Sequence, residues 1–248
     1  MNKVKPRYLY KYCQINKHTL NMIKFNKAYF PLPLEFNDPF DCNVLPKIEY
    51  APEEKEKFIK ALMENGQCSQ NEIYDLINNF DEIMDKGIKC PIDGIRNNMR
   101  IFCLSEVNDN VMMYSHYADS HRGICLEFAV SEDIFFDHLN YIRYEDVPIF
   151  NPCVEDANVF LPIIQILLKS SYWSYEKEWR IIKQGPSPCE YEFTPGTISA
   201  IIFGYKTSSE DRLLIKSIIN NREPVIQLKK VYRSAKNSFN LEIKPFEP

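Results

Sequence analysis

The chain has 248 residues, 45% hydrophobic and 26% charged, so it holds enough apolar sequence for a sizeable core and too much for a disordered chain. A formal net charge of −4 excludes broad, non-specific binding to nucleic acid, which needs a basic face, and leaves open a local basic groove. The glycines form neither G-x-G-x-x-G nor G-x-x-x-x-G-K-[ST], which excludes the two commonest phosphate-cradling loops.

The start, Tyr8-Leu9-Tyr10-Lys11-Tyr12, is aromatic and alternating and predicts a strand. Thr19 is placed to cap a short helix through Phe25, and Tyr29 to Leu34 reads as extended chain punctuated by Pro31 and Pro33. Residues 35–41, Glu-Phe-Asn-Asp-Pro-Phe-Asp, form a polar loop held by two phenylalanines. Residues 52–100 read as a helical insert. Pro52, Glu53 and Glu54 open its first helix, Ile73, Leu76, Ile77 and Phe80 share one face of a second over 71–84, and a third runs from Pro91 to Met99. Arg100 to Ser105 is the next strand, 109–118 a helix, and Gly123 to Phe128 and Tyr141 to Tyr144 further strands. Asp156 to Tyr172 reads as one long buried helix. Strands follow at 178–183 and 198–203, the second apolar enough to be central. A helix over 208–220, with Leu213, Leu214, Ile218 and Ile219 inward, and strands over 225–231 and 239–243 complete the chain. Helices and strands intersperse without regular βαβ alternation, which predicts a single α+β domain spanning 1–248.

The eight cysteines are scattered, with no C-x-x-C pair, and read as reduced, buried thiols rather than zinc ligands. No apolar stretch follows the basic start (Lys3, Lys5, Arg7), and Val159 to Leu168 is too short and too interrupted to span a bilayer. The expectation is a cytoplasmic protein without membrane attachment, of undetermined oligomeric state.

Three polar segments carry chemistry. The first joins Tyr10, Lys11 and Tyr12 to the turn-forming Asn37-Asp38-Pro39-Phe40-Asp41 loop; Lys11 needs solvent, a carboxylate or a ligand anion for its charge. The second comprises Ser105 at a strand end, His116 and Tyr117 on a helix, and His121 after it. His116 and His121 beside Asp119 have no zinc spacing, and a satisfied core or surface role is the simpler reading. The third is Trp173 to Arg180. If a strand opens at Glu178, period two points Glu176, Glu178 and Arg180 to one side, either as a self-compensating ion network or as one wall of an aromatic-lined pocket for a flat ligand.

The order Tyr-Lys-Tyr, Phe-Asn-Asp-Pro-Phe-Asp, Cys-x-Ser-Glu, a His-Tyr-Ala helix with a following Gly, and Tyr-Glu-x-Glu-Trp-Arg resembles the bacterial family called domain of unknown function 2971, over about residues 8–204. More distantly it resembles the ADP-ribosyltransferase fold, with Lys11 where many relatives carry His. That second resemblance implies a mixed-sheet core and an NAD-consuming transferase of bacterial toxin or anti-phage defence biology, with a nucleic-acid or protein acceptor. It implies Glu178 as the carboxylate that stabilises an oxocarbenium-like ribose and Glu176 as the base for the acceptor. Lys11 or Arg180 would hold the pyrophosphate, a tyrosine would stack on the nicotinamide, and Tyr10, Tyr12, Asn37, Asp38, Ser105, His116 and Tyr117 would complete the cofactor-binding set. Two other readings remain: a Mg²⁺-dependent hydrolase or nuclease using Asp38, Asp41, Glu176 and Glu178, and a non-enzymatic module that binds a nucleotide or a protein.

Overall fold

A computed structural model describes residues 4–66, 68–130, 134–155, 157–185, 189–237 and 239–246. The chain divides into two compact units, one of Met1–Pro31, Arg100–Ile142 and Tyr172–Pro248, the other of Leu32–Met99 and Arg143–Ser171. The α-helices among the described residues are α1 (Lys17–Phe25), α2 (Pro52–Glu64), α3 (Gln70–Asn98), α4 (Val111–Tyr117), α5 (Ala157–Leu167) and α6 (Ser209–Ile219). None is long and apolar enough to cross a membrane.

The first unit is built on an eight-stranded sheet: β1 (Tyr8–Cys13), β2 (Met99–Ser105), β3 (Ile124–Ala129), β4 (Leu139–Tyr141), β5 (Glu178–Gln184), β6 (Ile198–Phe203), β7 (Gln227–Arg233) and β8 (Leu241–Pro245). Their order across the sheet is β8-β7-β6-β3-β1-β2-β5-β4. β1 runs antiparallel to β3 over its whole length, from Tyr8↔Ala129 to Cys13↔Ile124, whereas β6 and β7 are parallel. The sheet is therefore mixed and the class α+β, as the interspersed sequence pattern predicts.

Strand alternation gives the sheet two unlike faces. Leu9, Phe102, Leu104, Leu126, Phe128, Trp179, Ile181, Ile201 and Phe203 enter one large core, which also takes Met22 and Ile23 from α1 and Ile215 from α6. Tyr12, Cys125, Ile202 and Val231 point the other way and pack under Met113, Tyr114 and Ala118 of the α4 segment. The second face is smaller and more polar, and it carries the candidate site.

Several local expectations need correction. Asn16, not Thr19, caps α1: its side chain accepts from the Thr19 amide at 3.1 Å, while the Thr19 hydroxyl donates to the Gln14 carbonyl. On α6 the inward ridge is Ile215, Ile218 and Ile219; Leu213 and Leu214 are 64% and 43% exposed because the helical repeat turns them outward.

In the second unit α3 is two helical stretches joined across a kink at Asn79, where the sequence predicts two helices with the break between 84 and 91. Gly87 and Pro91 are poor interior residues, yet the apolar stripe continues past them through buried Ile92 and Ile95, and burial outweighs propensity. α5 stops at Leu167, short of the expected Tyr172; Asp156 lies outside the described residues. Beyond α5 the chain pairs with 143–144, and Asp146 accepts from the backbone amide and hydroxyl of Ser171. The 35–41 loop is not held by two phenylalanines, since Phe40 is 76% exposed. Asp38 caps the Phe40 amide at 2.9 Å, and buried Asp41 pairs with buried Lys169 at 3.4 Å.

Candidate functional site

Glu178 opens β5 as predicted, and Arg180, two residues on, shares its face. Nε and Nη2 of Arg180 reach the two oxygens of the Glu178 carboxylate at 2.7 and 3.1 Å, a bidentate fork. Both side chains are buried, with Arg180 wholly inaccessible. The expected role of Arg180 as a pyrophosphate ligand is therefore corrected: its guanidinium is committed to an intrastrand carboxylate away from solvent.

Glu176 reaches the same neighbourhood by another route. It ends a 3-10 turn over Ser171–Glu176, and Lys177 then takes a left-handed conformation at φ 44°. Period two does not link Glu176 to Glu178, so that part of the sequence argument fails at the break. The buried Glu176 carboxylate accepts from the Tyr117 hydroxyl of α4 at 2.6 Å. Its carbonyl accepts from buried Ser105 at 2.5 Å, and the Ser105 oxygen accepts in turn from the Val107 amide. Beside them the Trp179 indole donates to Glu106 at 2.7 Å. Ser105 thus closes the end of β2 onto the start of β5. Tyr117→Phe should remove the donor to a buried carboxylate and cost about 1–3 kcal/mol in a urea melt.

On the neighbouring β1, Tyr10 and Tyr12 share the α4-covered face. Tyr12 is core: its ring meets Tyr114 edge-on at 4.8 Å, its hydroxyl donates to the Val107 carbonyl, and burial raises its pKa. Tyr10 is half-buried, with its pKa pushed up to about 12 by burial and then by Glu127 opposite it. Lys11 does not join them. Its ammonium donates to the Cys103 carbonyl at 3.1 Å and stands 4.1 Å from the centroid of Phe102, a residue of the opposite core. The reading of Lys11 as an anion ligand beside Glu178 is corrected on that ground: an odd position on β1 points through the other face.

His116 is exposed and makes edge contacts with Trp173 and Tyr117, and Trp173 leans on Tyr175 at 6.1 Å. These rings border Glu176 and form an aromatic rim. His121 stacks on Tyr114 and lies 3.0 Å from the Ser115 oxygen. Ser115 spends its proton on the Val111 carbonyl, so His121 Nε2 must be the donor. Burial, then Lys206, lowers the His121 pKa below 6.5. The folded state resists this protonation, so the His121 contribution is present above pH 6.5 and lost as pH falls through that value toward the folded pKa. NMR titration should place His121 below 6.5, and His121→Asn should remove its part of the acid-side slope.

Asn37 and Asp38 belong to the second unit, where Asn37 is exposed and Asp38 caps its own turn. Sequence reasoning missed two groups. Glu127 is a buried carboxylate on the Tyr10 face, held by Lys229 at 2.9 Å and Ser199 at 2.7 Å; its signal was a charge between Leu126 and Phe128 in an otherwise apolar strand. Cys103 lies on the Glu178 face, hydrogen-bonded to that carboxylate. Burial and then the Glu178 charge hold its thiol well above the ordinary range, which makes it a poor nucleophile. A cavity of about 390 Å³, lined by Val107, Asp109, Asn110, Val111, Asn240 and Leu241, borders the loop that follows Ser105. Among the described residues no three His, Cys, Asp or Glu side chains are grouped as metal ligands.

No curated protein and no solved structure matches the chain, so the likeness to the ADP-ribosyltransferase fold is not shown by any relative. A family model described as "Protein of unknown function (DUF2971)" matches residues 113–181. That segment runs from α4 into β5 and carries Tyr117, Glu176, Glu178 and Arg180. Over the stretch that supplies both acids, Tyr117 and Arg180, the chain resembles the DUF2971 family.

Proposed function

We propose that the first unit is a cytoplasmic enzyme that cleaves NAD at its nicotinamide–ribose bond and transfers ADP-ribose, in bacterial toxin or anti-phage biology. One observation carries the reading. Tyr10, Ser105 and Glu178 lie on one face of the adjacent strands β1, β2 and β5, and on that face Tyr117 and Ser105 bond to Glu176, so four separate stretches of chain supply it. None of these five residues lines the cavity of about 390 Å³ that borders the loop after Ser105.

The chemistry asks little of the protein. The bond from the ribose C1′ to the nicotinamide nitrogen breaks, its electron pair neutralises the pyridinium, and an acceptor oxygen or nitrogen bonds to C1′. A carboxylate beside C1′ stabilises the developing positive charge, a task for Glu178 once Arg180 shares it with the ribose hydroxyls. Glu176 takes the acceptor's proton, and its Tyr117 hydrogen bond fixes its direction. Tyr10 and the Trp173–Tyr175 rim offer flat walls for the nicotinamide.

A second reading has its own observation. The Glu178 carboxylate is buried and already gripped by Arg180, which suits a structural ion pair in a non-enzymatic module. Nicotinamide release from NAD separates the two. Glu176→Gln is the cleaner probe, because an amide oxygen still accepts from Tyr117. A transferase should lose at least about 100-fold in release at unchanged melting temperature. Wild type that releases no nicotinamide under any acceptor mixture would sink the first reading.

A further inference from the structure

The β8 edge of the sheet carries a strip of cations and aromatic rings outside the site described above. In the β7–β8 ladder Lys230 pairs with Lys244 and Tyr232 with Glu242, and the Phe246 amide bonds to the Leu228 carbonyl. Alternation therefore sets Leu228, Lys230 and Tyr232 on one face with Phe246, Lys244 and Glu242. This is the α6 side of the sheet. The Phe246 ring packs edge-on to Phe203 at 5.3 Å and lies 4.9 Å from Lys216 Nζ and 5.7 Å from the Arg212 guanidinium carbon, both on α6. Further along the ladder, Tyr232 lies 5.7 Å from Lys230 Nζ and 5.9 Å from Lys244 Nζ. Arg212, Lys216, Lys230 and Lys244 thus surround two rings in a chain whose net charge is −4. Among the described residues two carboxylates touch the strip: Glu242 is bonded to Lys244 at 3.0 Å and to Ser234 at 2.6 Å, and Glu210 feels the charge of Arg212, whose guanidinium also donates to the Thr207 carbonyl.

Positions two apart on a strand are separated by about 7 Å, close to the spacing of phosphates along an extended single strand. Tyr232 is 36% exposed, so part of its side chain is accessible to a ligand. Rings between cations favour an unpaired strand over a duplex, because stacking needs a base that has left its partner.

We infer that this strip is a binding surface for single-stranded nucleic acid, with Arg212, Lys216, Lys230 and Lys244 on phosphates and Tyr232 beneath a base. It uses no residue of the proposed NAD site and stands whether or not that site is an enzyme. The test is fluorescence anisotropy of the full chain with labelled oligo-dT and oligo-U of about 20 nucleotides, long enough for one such groove, in the absence of NAD. Wild type should bind with a log–log salt slope of about −3, from four cations at about 0.7 each. Lys230→Ala with Lys244→Ala should weaken binding at least tenfold and flatten the slope by about 1.4. Tyr232→Ala should weaken it at least about fivefold at unchanged slope, and Tyr232→Phe should bind as wild type. Should a variant fail to fold by circular dichroism, hydrogen exchange of wild type with the oligonucleotide replaces it, and β7 and β8 should be protected. The proposal is overturned by wild type that does not bind either oligonucleotide, that binds duplex as well as single strand, that binds anionic vesicles in their place, or whose β7–β8 amides stay unprotected.

Discussion

Gly123→Ala and Gly204→Ala are each expected to destabilise the first unit by about 3 kcal/mol or more, enough to unfold a marginal domain. The two glycines sit where β1, β3 and β6 end together. The Gly204 amide donates to the Gly123 carbonyl at 3.0 Å, and the Gly123 amide donates to the Ala118 carbonyl at 2.8 Å. The same Gly123 carbonyl also accepts from the buried Thr207 hydroxyl at 2.8 Å. A methyl on Gly123 would overlap the Cys13 carbonyl and stand 3.0 Å from Ala118; one on Gly204 would overlap the His121 carbonyl and stand 2.8 Å from that of Gly123. Every obstacle is backbone held in a ladder or a turn, so no side chain can swing away. Gly94, inside α3 with nothing near its would-be methyl, is the counter-case. Gly94→Ala should stabilise by up to about 1 kcal/mol through helix propensity alone. Urea midpoints of the three variants decide it. If Gly123→Ala moves the midpoint no further than Gly94→Ala does, the strand ends are softer than their hydrogen bonds indicate. The 118–123 turn also anchors the α4 segment that carries Tyr117, so the same substitutions should disturb the acidic site.

The sheet was legible where side chains obey one simple period. The alternation of Tyr8 to Tyr12, the apolar run Ile198 to Phe203, and Glu178 opening its strand all correspond to observed elements. Legibility failed where a single backbone conformation decides the outcome. The left-handed Lys177 removes Glu176 from the strand, and no residue type in Tyr-Glu-Lys-Glu announces that. It failed again for Lys11, where aromatic neighbours suggested a shared site although alternation alone places it opposite Tyr10 and Tyr12. The break in the helical insert was read between 84 and 91, whereas the kink falls at Asn79 and the burial of Ile92 and Ile95 carries the helix past Gly87 and Pro91. Glu127 was overlooked for the converse reason: its partner Lys229 is distant in sequence, and only the strand order brings the two together.

Arg180→Met is expected to cost about 3–5 kcal/mol, because it strands the Glu178 carboxylate in the interior with its two strongest donors gone. Glu178→Met should cost a comparable amount by stranding the guanidinium. The double variant should be far more stable than the sum of the singles, since a buried pair replaced by apolar groups of similar length loses attraction and desolvation penalty together. A coupling energy of about 2 kcal/mol or more from guanidinium melts is the expected reading, and additive singles would show that the fork contributes little. The same cycle bears on function, because the double variant is the one form that lacks Glu178 and keeps a compensated interior. If Glu178 stabilises charge on the ribose, the double variant folds and releases no nicotinamide. If the pair only holds β5 in place, the double variant keeps whatever activity wild type has. Cys103, hydrogen-bonded to the same carboxylate, gives an independent check: with Glu178 gone, its thiol should titrate lower, toward the value set by burial and Lys11.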